Sequence, residues 1–167
     1  MCQAVSAELG DFLNALHDWK AVNLEAINGV FSTLFAAIVV EIRHSIVKVS
    51  CPEQLTVPKT VQDLPPLSRC LLGVILRSPE VTRSFLCETS SSLESEAIED
   101  VTGLAALLHM LAVVGQIGKF KLELKDMAVS VQRQLQKHNA VIAEDSRTME
   151  RVIYLSAVRS VNDILMV

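Results

Sequence analysis

The sequence predicts an all-α fold, with six to seven helices in an irregular antiparallel bundle or short helical stack around one buried central helix, residues 97–117. Three observations predict it. Half of the 167 residues are apolar but only 4% are aromatic, so the apolar mass is Leu, Val, Ile and Ala, which suits helix-on-helix packing. Apolar residues recur at spacings of three and four along most of the chain. And residues 97–117 are apolar almost all the way round a helical wheel. Leu104, Leu107, Leu108 and Leu111 cover one side; Met110, Val113 and Val114 cover much of the other. A helix apolar on nearly every face is buried on nearly every face. Only Thr102, His109 and Gln116, seven residues apart, form a narrow polar strip. Glu99 and Asp100 in the first turn, with Gly115 and Gly118 at the end, mark a core helix. A membrane span would need about 20 uninterrupted apolar residues, so no transmembrane segment is expected.

Residues 3–19 form an amphipathic helix, with Val5, Leu9, Phe12, Leu13, Leu16 and Trp19 on one arc. Gly10 in its interior costs up to about 1 kcal/mol against Ala, so this helix depends on tertiary packing, with Trp19 as an expected anchor. Residues 23–49 form a second, long helix with Asn23 as cap. Ile27, Val30, Phe31, Leu34, Phe35 and Ile38 fill its inner face. Asn28, Gly29, Ser32, Thr33 and Ala36 make a strip of small residues where another backbone could come close. The β-branched tail from Ile38 to Val49 reads as helix because no partner strand is evident.

Prolines hold residues 50–66 extended, at Pro52, Pro58, Pro65 and Pro66. Asp63 is then expected to cap a helix whose stripe is Leu67, Cys70, Leu71, Val74 and Ile75. Ser78-Pro79-Glu80 combines a cap, a first-position proline and a first-turn acid, and so restarts a short helix carrying Val81, Phe85 and Leu86. The polar residues 88–96 read as a loop, with Ser91 and Glu94 forming a capping box for the central helix. Residues 119–138 are the most clearly amphipathic segment, on Phe120, Leu124, Met127, Val131 and Leu135. A last helix runs from about 145 to 166, with Met149, Ile153, Tyr154, Ala157, Val161, Ile164 and Leu165 inward. A break near 139–145 is expected, because one helix from 119 to 166 would be about 70 Å long. The chain thus reads as a single all-helical domain, 1–167, with mobile loops at 50–62 and 88–95.

Successive antiparallel amphipathic helices of these sizes resemble the HEAT and armadillo helical repeats. The resemblance is architectural: no repeat near 40 residues recurs and no residue carries over. A Bcl-type fold, which also wraps a buried helix, is excluded at its short motif. Gly10-Asp11 is present, but Ser6 stands where the motif places leucine.

No phosphate-binding glycine loop, nucleophile elbow or metal-type spacing occurs, so no catalytic residue, metal or cofactor is expected and the chain is read as no enzyme. His17, His44, His109 and His138 stand singly. A net charge of −4 does not favour nucleic acid. The mean hydropathy of +0.38 leaves an apolar surplus. The predicted function is a non-catalytic protein–protein interaction module, a subunit or fragment of a larger intracellular assembly, cytoplasmic or nuclear, with a protein partner or self-association. The alternative is a carrier of a lipid or other hydrophobic ligand in a cavity around 104–114. The candidate surface is Leu122, Val129, Lys125 and Arg133 on one helix, with Arg151, Val152, Leu155 and Arg159 on the next. In each, apolar residues stand opposite the packed stripe, rimmed by cations. Cys2, Cys51, Cys70 and Cys87 form no Cys-x-x-Cys pair, and the chain has no basic, apolar leader. A reducing compartment follows as the expectation. Thiol titration under denaturing, non-reducing conditions should return four thiols; two or none would overturn it.

Overall fold

The computed structural model describes residues 2–18, 24–95, 100–116, 119–144 and 148–166. Among them are seven helices and no strand. The helices are α1 (Cys2–Asp18), α2 (Leu24–Val47), α3 (Pro66–Ile75), α4 (Pro79–Ser95), α5 (Val101–Gly115), α6 (Lys121–Glu144) and α7 (Thr148–Met166). Two 3₁₀ turns, Pro52–Gln54 and Val61–Asp63, punctuate the connection from α2 to α3.

α5 is the centre. Every residue from Gly103 to Gly115 is buried. Each of its leucines contributes about 1.5–3 kcal/mol relative to an exposed position. It packs against α2 on one side and against α6 and α7 on the other, while α3 and α4 lie behind α2 and α1 lies on α3 and α4. The expected range of 97–117 shortens at its start. Asp100 is extended and accepts from the Gly103 N–H at 2.7 Å, so Asp100 is the cap. Its other carboxylate oxygen meets Arg43 of α2 at 2.9 Å.

The Ser91–Glu94 capping box is corrected by this. Both residues belong to α4, which continues through residues 88–95 where a loop was expected. Polar composition misled there: a polar residue can still face inward, as Thr89 does, whose buried hydroxyl donates to the Phe85 carbonyl at 2.8 Å. The restart at Ser78 holds, since its hydroxyl accepts from the Val81 N–H at 3.3 Å. The Phe85 ring stands edge-on to both Phe31 and Phe35, at 6.4 Å each.

α2 stays helical through its β-branched tail to Val47. Gly29–Val47 is long and apolar enough to cross a membrane by length and composition, yet Phe31, Ile38, Ile42 and Ile46 are buried in the core. Among the described residues no backbone approaches its small-residue strip at Gly29, where a Cβ would meet nothing within 4 Å, and Thr33 and Ala36 are exposed.

The start of α3 differs from expectation most informatively. Asp63 does not cap it. The Asp63 carboxylate accepts from the Lys59 and Thr60 N–H groups and the Thr60 hydroxyl, and these bonds hold its pKa below the usual carboxylate range. The first N–H groups of α3 are instead met from α2. Glu41 accepts from Leu67 N–H at 3.0 Å, from Ser68 N–H at 2.5 Å and from the Ser68 hydroxyl at 2.6 Å. Partial burial alone would raise the Glu41 pKa; the Ser68 and Leu67 hydrogen bonds together outweigh it and lower the value. Because Ser68 turns inward to reach Glu41, the buried stripe of α3 is Ser68, Leu72, Val74 and Ile75. Leu67, expected inside, is 47% exposed, and Cys70 and Leu71 are only half-buried.

In α1, which packs on α3 and α4, Leu13 is buried but Phe12 is 51% exposed, against expectation. The expected roles of Trp19 and Asn23 fall outside the described residues. The stripe of α6 is as predicted; on α7 Ile153, Ala157, Val161 and Ile164 are buried while Met149, Tyr154 and Leu165 are half-buried, and the expected break separates α6, ending at Glu144, from α7, starting at Thr148.

The pocket that reaches α5 measures about 110 Å³, with His109 among its walls. Ligand cavities run from about 300 Å³ upward. Leu108 is fully buried. Leu108→Ala should therefore destabilise by about 2–5 kcal/mol, read as a lowered melting temperature. A change under about 2 °C would mean that α5 is not the centre of the core.

Candidate interaction surface on the last two helices

α6 buries Phe120 at its entry and then Leu124, Met127, Val131 and Leu135, so the face opposite must point to solvent. At 100° per residue, Leu122, Lys125, Val129 and Arg133 fall within an arc of about 80° opposite that stripe. Leu122 is 78% exposed and Arg133 is exposed, while Lys125 and Val129 are half-buried. On α7, Ile153, Ala157, Val161 and Ile164 point inward. Leu155 is 54% exposed, Arg151 and Arg159 are exposed, and Val152 is half-buried.

The two stripes flank a shallow valley of about 230 Å³, in which Gln132, Leu135 and Gln136 meet Tyr154, Val158 and Val161. The short connection makes α6 and α7 antiparallel neighbours. Their meeting residues then set Arg133 and Arg159 at about the same height along the two helices. Leu155 lies near them. Leu122 lies about 20 Å away along α6, so the two leucines belong to one face but to different contacts.

What fixes the outward face of α7 is buried on its other side. Ser156 was not singled out by sequence reasoning, and nor was Ser160; both are buried. The Ser156 hydroxyl donates to the Ile153 carbonyl at 2.7 Å, which uses its proton. Its oxygen lies 3.3 Å from His109 Nε2 on α5, so the imidazole must carry the proton on Nε2 and donate. Thus His109, expected on a polar strip with Thr102 and Gln116, stands alone inside; Thr102 is half-buried and Gln116 exposed. A serine interrupting an apolar stripe opposite a buried histidine was the only signal, and nothing in the sequence pairs positions 109 and 156.

Burial lowers the His109 pKa to about 4, because the charged form would lose its hydration. The fold therefore holds the neutral ring. Its contribution is complete above the unfolded value near 6.5 and is lost as pH falls toward 4. Between pH 7.5 and 5.0 the protein should lose about 2 kcal/mol more stability than a His109→Gln variant, by chemical denaturation at the two pH values. Equal losses would mean that the imidazole is not held neutral. Among the described residues no cluster of His, Cys, Asp or Glu could hold a metal ion.

No protein-family model matches the chain, and no solved structure matches it. The chain is similar to condensin-2 complex subunit G2 from Danio rerio, 46% identical over 157 residues and 90% of this chain. The similarity extends to the subunit of that name from Homo sapiens, 37% identical over 163 residues and 97% of the chain. The Xenopus laevis subunit is 33% identical over 165 residues and 99% of the chain. The chain spans 14% of the length of each. It is thus similar, almost end to end, to one segment of a subunit of a protein complex.

Proposed function

We propose that this chain is a non-catalytic helical interaction module, acting within an intracellular assembly of the condensin-2 type and docking through the outward faces of α6 and α7. The similarity over 90% or more of the chain to a named complex subunit carries the reading. The exposed Leu122 and Leu155 support its location, since each is a large apolar side chain held on a helix whose opposite face is already packed. Arg133 and Arg159 are exposed on the same faces as these leucines, leaving an apolar anchor with a charged border. Nothing in this role requires a bond to be made or broken; a rigid face suffices.

The test is Leu122→Ser combined with Leu155→Ser. Both residues are exposed, so the fold should lose about 1 kcal/mol or less in a melt. Co-purification of the tagged chain with the other subunits of a condensin-2 complex should fall clearly. Retained co-purification would place the contact elsewhere, and a large drop in melting temperature would show both leucines to be structural.

A further inference from the structure

The outward face of α2 is complementary to itself. Phe31, Ile38 and Ile42 turn inward, where α3, α4 and α5 pack on the helix. Opposite them stand Gly29, Thr33, Ala36, Val40, Arg43 and Val47, within an arc of about 80°. All six are exposed, Val40 at 50% and Val47 at 64%. Their spacing alternates four and three residues, the step of a seam between two helices. The solvent face of a surface helix is normally polar and charged. Here only Arg43 is charged, and Asp100 holds its guanidinium at 2.9 Å. The Thr33 hydroxyl donates to the Gly29 carbonyl at 2.8 Å, so its proton is already used.

The six residues form three pairs equidistant from Ile38. Gly29 and Val47 each lie nine residues from it, Thr33 and Arg43 five, Ala36 and Val40 two. An antiparallel second copy, related by a twofold axis at the level of Ile38, therefore sets Gly29 against Val47, Thr33 against Arg43 and Ala36 against Val40. Each layer joins a small side chain to a larger one, so the two surfaces interdigitate. This reciprocity, residue i meeting j and j meeting i, is the mark of a twofold interface. Gly29 leaves room for a valine of the second copy, since a Cβ there would meet nothing within 4 Å. A parallel copy would oppose Arg43 to Arg43 and leave a gap between two glycines.

We propose that α2 is a homodimerisation seam, along which two copies of this chain pair antiparallel from Gly29 to Val47. The seam is about 27 Å long. One helix wide on each copy, it buries on the order of 1,000 Å² in all, which belongs to weak, concentration-dependent association. The net charge of −4 on each copy opposes this little, because the seam itself holds no unpaired charge and distant charges are screened beyond about 8–10 Å. Gly29–Val47 also has the length and composition to cross a bilayer, but its inner face is spent on the core and only one stripe is left to cover. The proposal is independent of the α6–α7 surface.

The experiment is sedimentation equilibrium of the 167-residue chain between about 1 and 100 μM. The mass should rise from 18.3 kDa toward twice that value. Ala36→Glu and Val40→Lys change exposed sites, so each should keep the melting temperature within about 2 °C. Each should raise the dissociation constant about tenfold or more, since it sets a charge in the middle layers. Mixed one to one, the two variants should associate again, because position 36 of one copy meets position 40 of the other and the layer becomes an ion pair. Leu122→Ser with Leu155→Ser should leave association unchanged. A chain still monomeric at about 100 μM, a dimer that survives both single variants, or a mixture that stays monomeric would each overturn the proposal. So would loss of the dimer with the two leucine substitutions. Flotation with phosphatidylcholine–phosphatidylserine vesicles that is abolished by Val40→Lys would also overturn it, by making the face a lipid surface.

Discussion

Burying one helix on every side is the constraint from which the other placements follow. From Gly103 to Gly115, α5 offers no residue to water, so neighbours must close around it completely. α2, α6 and α7 do so. Ala105, Ala106 and Ala112, all buried, alternate with the leucines, and the connection from α2 to α3 reaches α5 at His109. At its start, where helix N–H groups lack an intrahelical partner, polar chemistry appears. Asp100 caps the start, and Arg43 ties that cap to α2. The cap is worth about 1 kcal/mol. The half-exposed ion pair adds little in energy and chiefly fixes orientation.

Most of the outline was legible in the sequence because it is periodic. The stripes of α6 and α7, the restart at Ser78 and the all-round burial of α5 are local patterns, and local patterns survive without knowledge of neighbours. What was not legible came from partners distant in the chain. Asp63 is a good cap by position, but Glu41 reaches α3 from 26 residues away and takes the two N–H groups that matter. That single contact turned the inner stripe of α3 from Leu67 to Ser68. Likewise, nothing near residue 91 shows that α4 continues, since a helix packed on one face tolerates polar residues on the others.

The candidate surface was readable for a different reason. Leu122 and Leu155 break the rule that the face opposite a packed stripe is polar, and breaches of a local rule are visible from the sequence alone. Their height along the helices was not. Spacing places a residue on a face, but only the meeting of Gln132 and Leu135 with Tyr154 and Val158 sets how far apart the two leucines lie.

The outer faces are therefore consequences of inner polar contacts. Ser156 is small enough to let α7 lie close on α5, and its bond from His109 selects one rotation of α7. Rotating α7 by one residue, about 100°, would carry Leu155 toward the core and bring Ser156 out. An all-apolar interface between α5 and α7 would resist such slippage less, since dispersion and burial are not directional. A polar pair in a mostly apolar seam can bond in one register only. On α3 the same logic holds: Glu41 draws Ser68 inward, and that rotation is what leaves Arg69, Gly73 and Arg77 on the open side. In both helices, a single buried or half-buried hydroxyl decides which side chains the molecule presents.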